Sequence, residues 1–373
     1  MSYKKWSIFF LLFVISLLVF IGVVNYIVDP YDDYNNHFVN TKKIMGVKKI
    51  RFIKALKIYR IKPKSIILGN SRAEIGLNPE HGYLTKPSYN MAVSGGSMYE
   101  NRINFEWALK QGELQQVILV VDYDMFTITK QKPVPEFEKY FHYSYIYRYI
   151  FSFDTLIDSF KTIISSTDDF PTWSEYGQLD GGYMQRQLTK MGGHHAVMRY
   201  GPPALYKKAS IGYVYPDTGN NSFSDFRKLV RLCYENDIKL DIVFSPSHIR
   251  QWKIMVDYHH VNYDHWLQWK KDIVLTVNRI SNHYHKPPYR VFDFSVYHPF
   301  TAEKVPTSPA KKMKYHWENI HYKNALGLIV LDRLNGTSPY KDFGLQLTIS
   351  NIDKHLREQS TERSIYIDIP AYN

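Results

Sequence analysis

Four short, largely apolar runs, each closed by small or polar residues and separated by stretches of helical periodicity, constrain this chain more than any other feature. They are Ser65-Ile-Ile-Leu68, Gln116-Val-Ile-Leu-Val-Val121, Ile238-Lys-Leu-Asp-Ile-Val-Phe244 and Tyr289-Arg-Val-Phe-Asp-Phe294. Apolar residues recur at helical spacing over Met98–Gln111, Ser224–Asn236, Tyr263–Ile280 and about Lys323–Leu334, the last stopped by Asn335-Gly336. Near-continuous apolar strands are buried on both faces, and strands alternating with helices are joined by crossovers. The pattern therefore predicts an α/β fold, a parallel sheet flanked by helices. Ligands of such sheets gather beyond the carboxyl ends of the strands. That is where this sequence sets its unusual polar residues: Gly69-Asn-Ser-Arg72, Asp122-Tyr-Asp124 and Ser245-Pro-Ser-His248.

The N-terminus obeys a different logic. Ile8 to Val24 is apolar except for Ser16 and Gly22, and Asn25-Tyr-Ile-Val28 extends it. As a helix this crosses a hydrocarbon core of ~30 Å. Lys4 and Lys5 precede it and no small-x-small cleavage site comes after it, so residues 1–30 read as an uncleaved signal anchor, a transmembrane helix, with a cleaved signal peptide as the alternative. Lys4 and Lys5 favour a cytoplasmic N-terminus and a single-pass protein of the cytoplasmic membrane. The main domain is then extracytoplasmic, in the periplasm or at the cell surface. A competing charge lies in the stem, residues 31–64, where Lys42 to Lys64 holds ten basic residues and no acid and supplies most of the net +12. Ile44, Val47, Ile50, Ile53 and Leu56 recur within it every three residues. This fits a basic helix lying on anionic headgroups, or one packed on the main domain. Nucleic acid is not expected as a partner, since no binding motif accompanies the charge. The single cysteine, Cys233, excludes an internal disulfide and any multi-cysteine metal site.

Residues 65–336 are expected to form the α/β domain, with a polar tail over 337–373 that offers no chemistry. Residues 125–222 fit the alternation poorly. Tyr140 to Tyr149 is dense in aromatic residues, and Gly181-Gly182 and Gly192-Gly193-His194-His195 punctuate the second half of the stretch. It reads as an insertion forming one wall of a cleft, its tyrosines serving either as packing or as a platform for sugar rings.

Chemistry centres on Ser71, just past a strand and before a helix, where backbone N–H groups can hold a developing oxyanion. An N-cap role is the alternative. Near the far end of the domain, His316-Trp-Glu-Asn-Ile-His321-Tyr322 sets an acid three residues before a histidine. Glu318 and His321 can act as the orienting acid and general base of a serine nucleophile. Gly69-Asn-Ser-Arg72, Asn90-Met-Ala-Val-Ser-Gly-Gly96 and the terminal acid-x-x-His together resemble the SGNH (GDSL-like) hydrolases and acyltransferases. More narrowly they resemble single-anchor bacterial members associated with cell-surface polysaccharide acylation. The resemblance implies a flavodoxin-like three-layer sandwich with Ser71 as nucleophile, His321 as base and leaving-group acid, and oxyanion donors at Gly95 and Ser71 N–H. It implies an esterase or O-acyltransferase, often of acetyl groups, acting on a glycan, with a membrane partner delivering the acyl donor.

The pattern departs from that family at three points. Asn70 replaces an aspartate, Glu318 replaces the aspartate of Asp-x-x-His, and Asp122 stands where an oxyanion asparagine is usual. Asp293 is then a rival acid, and Asn90 or Asn70 is a substitute oxyanion donor. A degenerate site that only binds glycan or serves assembly is the alternative function. Arg72 is expected to bind an acidic sugar or pair with Glu74, and His248 to bind substrate or play a structural role. No metal is expected at His194-His195, His259-His260 or His283-x-His285, because adjacent histidines on a helix diverge. No phosphate or dinucleotide fingerprint is present, so no cofactor is expected.

Overall fold

A computed structural model describes residues 2–34, 36, 38–39, 45–128, 130–132, 134, 136–164, 171–200, 212–257 and 261–366. The apolar runs form strands. β1 (Ser65–Leu68), β2 (Ser88–Asn90), β3 (Gln116–Val121), β4 (Lys239–Phe244), β5 (Arg290–Asp293) and β6 (Leu345–Leu347) make one six-stranded sheet in the order β2-β1-β3-β4-β5-β6. β1 to β5 pair in parallel and β6 runs antiparallel to β5. Every residue of β1 and β3 is buried, as the absence of polar alternation requires. The chain moves from β1 outward to β2 and then back past β1 to β3. The strand order therefore reverses between β1 and β3, the position at which sheets of this kind bind their ligands.

The described chain divides into two compact units, Met1–Arg60 with Glu136–Thr172, and Ile61–Pro135 with Trp173–Asn373. The aromatic stretch expected as one insertion is thus shared between them. In the sheet-bearing unit, Ile67, Ile118, Val120, Val243 and Phe292 pack with Leu326, Val330, Leu331 and Leu334 of the helix Asn324–Asn335. Each such leucine contributes roughly 1.5–3 kcal/mol by leaving water. The helices Met98–Leu109, Ser222–Glu235 and Tyr263–His283 match the expected periodicity to within a few residues. The polar tail is part of this unit. It supplies β6 and the helix Ile352–Tyr366, whose His355 and Gln359 are buried.

In the other unit, the helix Tyr3–Val28 is long and apolar enough to cross a membrane. Asp29 closes it, its carboxylate accepting from the backbone N–H groups of Asp33, Tyr34 and Asn36 at 2.9, 3.0 and 3.1 Å. The stem forms the helix Met45–Ile61, kinked at Lys49. Ile53 and Leu56 of the expected apolar stripe are buried, and Phe52 beside them is ringed by Tyr31, Tyr140, Tyr145 and Tyr149 at centroid distances of 5.2–5.7 Å. Tyr140, Tyr145 and Tyr149 of the aromatic stretch thus serve as packing partners of Phe52, while Ile44 lies outside the described residues.

Candidate active site

Ser71 lies one turn beyond β1. Asn70 is the N-cap, its Oδ1 accepting from Arg72 N at 3.0 Å, and Ser71 is the first residue of the helix Ser71–Gly76. The opposing element is a tight hairpin closed by a bridge between His316 and Tyr322, with Trp317 N donating to His321 O at 2.9 Å. Glu318 folds back onto this turn. Its carboxylate accepts from Ile320 N at 2.8 Å and His321 N at 2.9 Å, and also engages His321 Nδ1. The other ring nitrogen, Nε2, lies 2.7 Å from Ser71 Oγ, across 250 positions of sequence. Burial pushes the Glu318 carboxyl up, but the His321 ring and the two N–H groups outweigh it and hold the acid below its usual range. An ionised Glu318 fixes the proton on Nδ1 and leaves Nε2 to accept from the serine hydroxyl.

A glycine contact brings the two halves together. Gly327, in the helix after the hairpin, lies so close to the serine helix that a Cβ there would sit 1.7 Å from Gly76 O. A Cβ on Gly76 would in turn fall 2.0 Å from the Tyr322 ring. Any side chain at these positions would push His321 away from Ser71.

The remaining candidates divide sharply. Gly95 adopts φ +67°, which favours glycine, and its Cα faces open space. Neither Gly95 N–H nor Ser71 N–H has a protein acceptor among the described residues. Asn90 is not. Its Nδ2 donates to Ala73 O at 2.9 Å and Leu77 O at 3.0 Å while Oδ1 accepts from Ala92 N, so it braces the serine helix against β2. Asn70 is likewise spent, on its cap and on Asp124 at 3.3 Å.

Arg72 pairs with Asp122 at 2.8 Å and Asp124 at 3.3 Å, tying the loop after β1 to that after β3. Burial first, opposed by Arg72 and reinforced by Asp124, pushes the Asp122 carboxyl up to about 6. Glu74 accepts from Ser94 Oγ and Trp173 Nε1, both at 2.8 Å, and so anchors the loop that carries Gly95.

His248 is buried, with Nε2 facing Glu303 O at 2.8 Å and Nδ1 accepting from Arg250 N at 3.3 Å. Both ring nitrogens are occupied, so its role is structural and substrate binding is corrected. Asp293 is also removed from the relay. It is fully buried and bonded to Lys270 Nζ and His355 Nε2, both at 2.8 Å, locking the C-terminal helix to β5. His194 and His195 face the carbonyls of His316 and Pro306. His259-His260 lie outside the described residues. Among the described residues no group of three His, Cys, Asp or Glu side chains is arranged to hold a metal.

Sequence reasoning missed Glu303. It accepts from Tyr315 N at 3.0 Å and His316 Nδ1 at 3.1 Å, and also from Lys314 N, clamping the base of the hairpin. Its only sequence signal is a lone acid between two strand–helix units, which is no signal.

No protein-family model matches the chain, and no curated protein sequence matches it.

Proposed function

We propose that the chain is a membrane-anchored, extracytoplasmic serine acyl-ester enzyme of SGNH type, an O-acyltransferase or esterase acting on a surface glycan. The observation that carries this reading is the continuous relay from Ser71 Oγ through His321 to Glu318. In this mechanism Ser71 Oγ attacks the carbonyl carbon of an acyl ester as its proton passes to His321 Nε2. The carbonyl oxygen becomes an oxyanion held by the N–H groups of Ser71 and Gly95. Collapse breaks the ester C–O bond, and His321 returns the proton to the departing alcohol. A sugar hydroxyl or water, deprotonated by His321, then attacks the acyl-serine and releases the enzyme. Lys4 and Lys5 before the apolar helix support the extracytoplasmic placement. The small acyl group, acetyl, and the membrane partner that delivers it rest on the family resemblance alone.

A second reading, a binder of glycan without turnover, is favoured by Asp122. This carboxylate stands where the family places an amide donor, and neither Asn90 nor Asn70 has an amide free to replace it. The test is surface glycan acylation in cells carrying the parent or Ser71→Ala. Loss of acylation with a folded, membrane-bound variant supports the enzyme. Full acylation in the variant overturns it in favour of the binder.

A further inference from the structure

The helix Phe153–Ile164 is built with inverted polarity. Its buried positions are Thr155, Leu156, Asp158, Ser159 and Thr162, four of the five polar. Its exposed positions include Phe153 at 65%, Ile157 at 40%, Phe160 at 53% and Ile164 at 79%, which recur at helical spacing along one stripe. A helix facing water buries the opposite set.

The inward polar groups are satisfied from within the same unit. Tyr31 OH donates to Asp158 Oδ2 at 2.8 Å, Ser159 Oγ to Asn25 Oδ1 at 2.9 Å, and Thr162 Oγ1 to Asp158 O at 2.9 Å. Asn25 Nδ2 donates to Ile150 O at 2.7 Å. Internal pairing of every inward polar group is what an apolar solvent demands. The N-terminal helix turns its buried Gly22 and Asn25 toward this part of the unit, and the Phe151 ring lies against Gly22, where a Cβ would meet it at 2.8 Å. At 12 residues the helix Phe153–Ile164 is about 18 Å long, too short to cross ~30 Å of hydrocarbon. Asp154 and Lys161 border the stripe on one side, where headgroups and water would meet them.

We infer that the helix Phe153–Ile164 is a second membrane-contacting element, lying in the bilayer interface beside the N-terminal span with Phe153, Ile157, Phe160 and Ile164 in acyl chains. This rests on the N-terminal helix being a membrane anchor. The stripe lengthens the apolar contact and fixes the rotation of the span about its axis, so the unit is held by two elements.

The test uses the full-length protein in phosphatidylcholine–phosphatidylglycerol vesicles containing lipids brominated on their acyl chains. The native Cys233 is buried. Single cysteines are placed by Ile157→Cys, Phe160→Cys and Ile164→Cys, with Asp154→Cys as the water reference and Val23→Cys as the span reference. Each is labelled with an environment-sensitive fluorophore. The inference expects quenching at 157, 160 and 164 several-fold above that at 154 and approaching that at 23. Quenching at those three positions no greater than at 154, with strong quenching at 23, overturns it. So does efficient disulfide linkage between two Phe160→Cys chains with no lipid quenching, which would make a second copy the occupant. Absence of quenching at 23 removes the anchor reading itself, and the inference with it.

Discussion

Glu318→Gln changes one oxygen of the relay into an amide and leaves its volume unchanged. Glu318 accepts from three donors, Ile320 N, His321 N and His321 Nδ1, whereas a glutamine offers one acceptor oxygen and must turn its NH2 toward at least one of them. If the NH2 faces the ring, Nδ1 becomes the acceptor and the proton moves to Nε2. It then points at Ser71 Oγ in place of receiving the serine proton. If the NH2 faces the backbone, donor opposes donor and a buried N–H goes unpaired, at a cost of about 1–3 kcal/mol. A domain with about 5–15 kcal/mol in hand survives that loss. The wrong-tautomer substitution in a serine-protease triad costs about 10⁴ in kcat, or about 5.5 kcal/mol of transition-state stabilisation. The assay is the second-order rate of labelling by a fluorophosphonate, with thermal melts in parallel. The expected result is labelling about 10³–10⁴-fold slower at a Tm lowered by only a few degrees (about 2–4 °C per kcal/mol for a domain of this size). Labelling within tenfold of the parent would reduce Glu318 to a brace of the hairpin.

Gly327→Ala sets a methyl group against Gly76 O and should lower Tm by several degrees while slowing Ser71 labelling, since overpacking costs typically about 1–3 kcal/mol. Parental melting and labelling would show that this contact does not align the relay. Burial, with His316 adding to it, brings the His248 pKa down to about 3, so the unfolded chain binds a proton there that the folded chain refuses. Stability from this group is complete above about pH 6.5 and falls by about 1.4 kcal/mol per unit as pH drops below it. A His248→Gln variant should lack that slope, so its stability relative to the parent should rise as pH falls below about 6.5, and a difference that stays constant with pH would refute it. Asp122 has the opposite sign. With its carboxyl pushed up to about 6, the folded chain holds a proton the unfolded chain releases, so stability falls as pH rises from about 4 to 6. Asp122→Asn should gain relative to the parent across that window, and a constant difference would contradict it.

Ser71, Glu318 and His321 were legible because two short motifs carried them and strand ends position such residues. β1 and β3 were legible for a related reason, since strands buried on both faces admit no polar break. β2 and β6, at three residues each, are too short to show any period. Asp293 was misread because its partners, Lys270 and His355, lie 23 and 62 positions away and belong to helices whose sequences advertise no pairing. Asn90 and Asn70 were misread because an amide near a serine looks the same whether its N–H groups are free or spent on carbonyls. The helix Ile352–Tyr366 buries Ile352, His355, Leu356 and Gln359, two of them polar, so no apolar stripe revealed it. The helix Phe153–Ile164 has a clear stripe, but periodicity alone does not say which face meets the protein.

In the proposed mechanism Ser71 is a nucleophile activated by His321. The most direct measurement is fluorophosphonate labelling of the full-length membrane protein, with the adduct located by peptide mass mapping. The expected result is one adduct per chain, on the peptide containing Ser71, absent from folded Ser71→Ala. An adduct that persists in Ser71→Ala, or a folded parent protein that takes none, would contradict it.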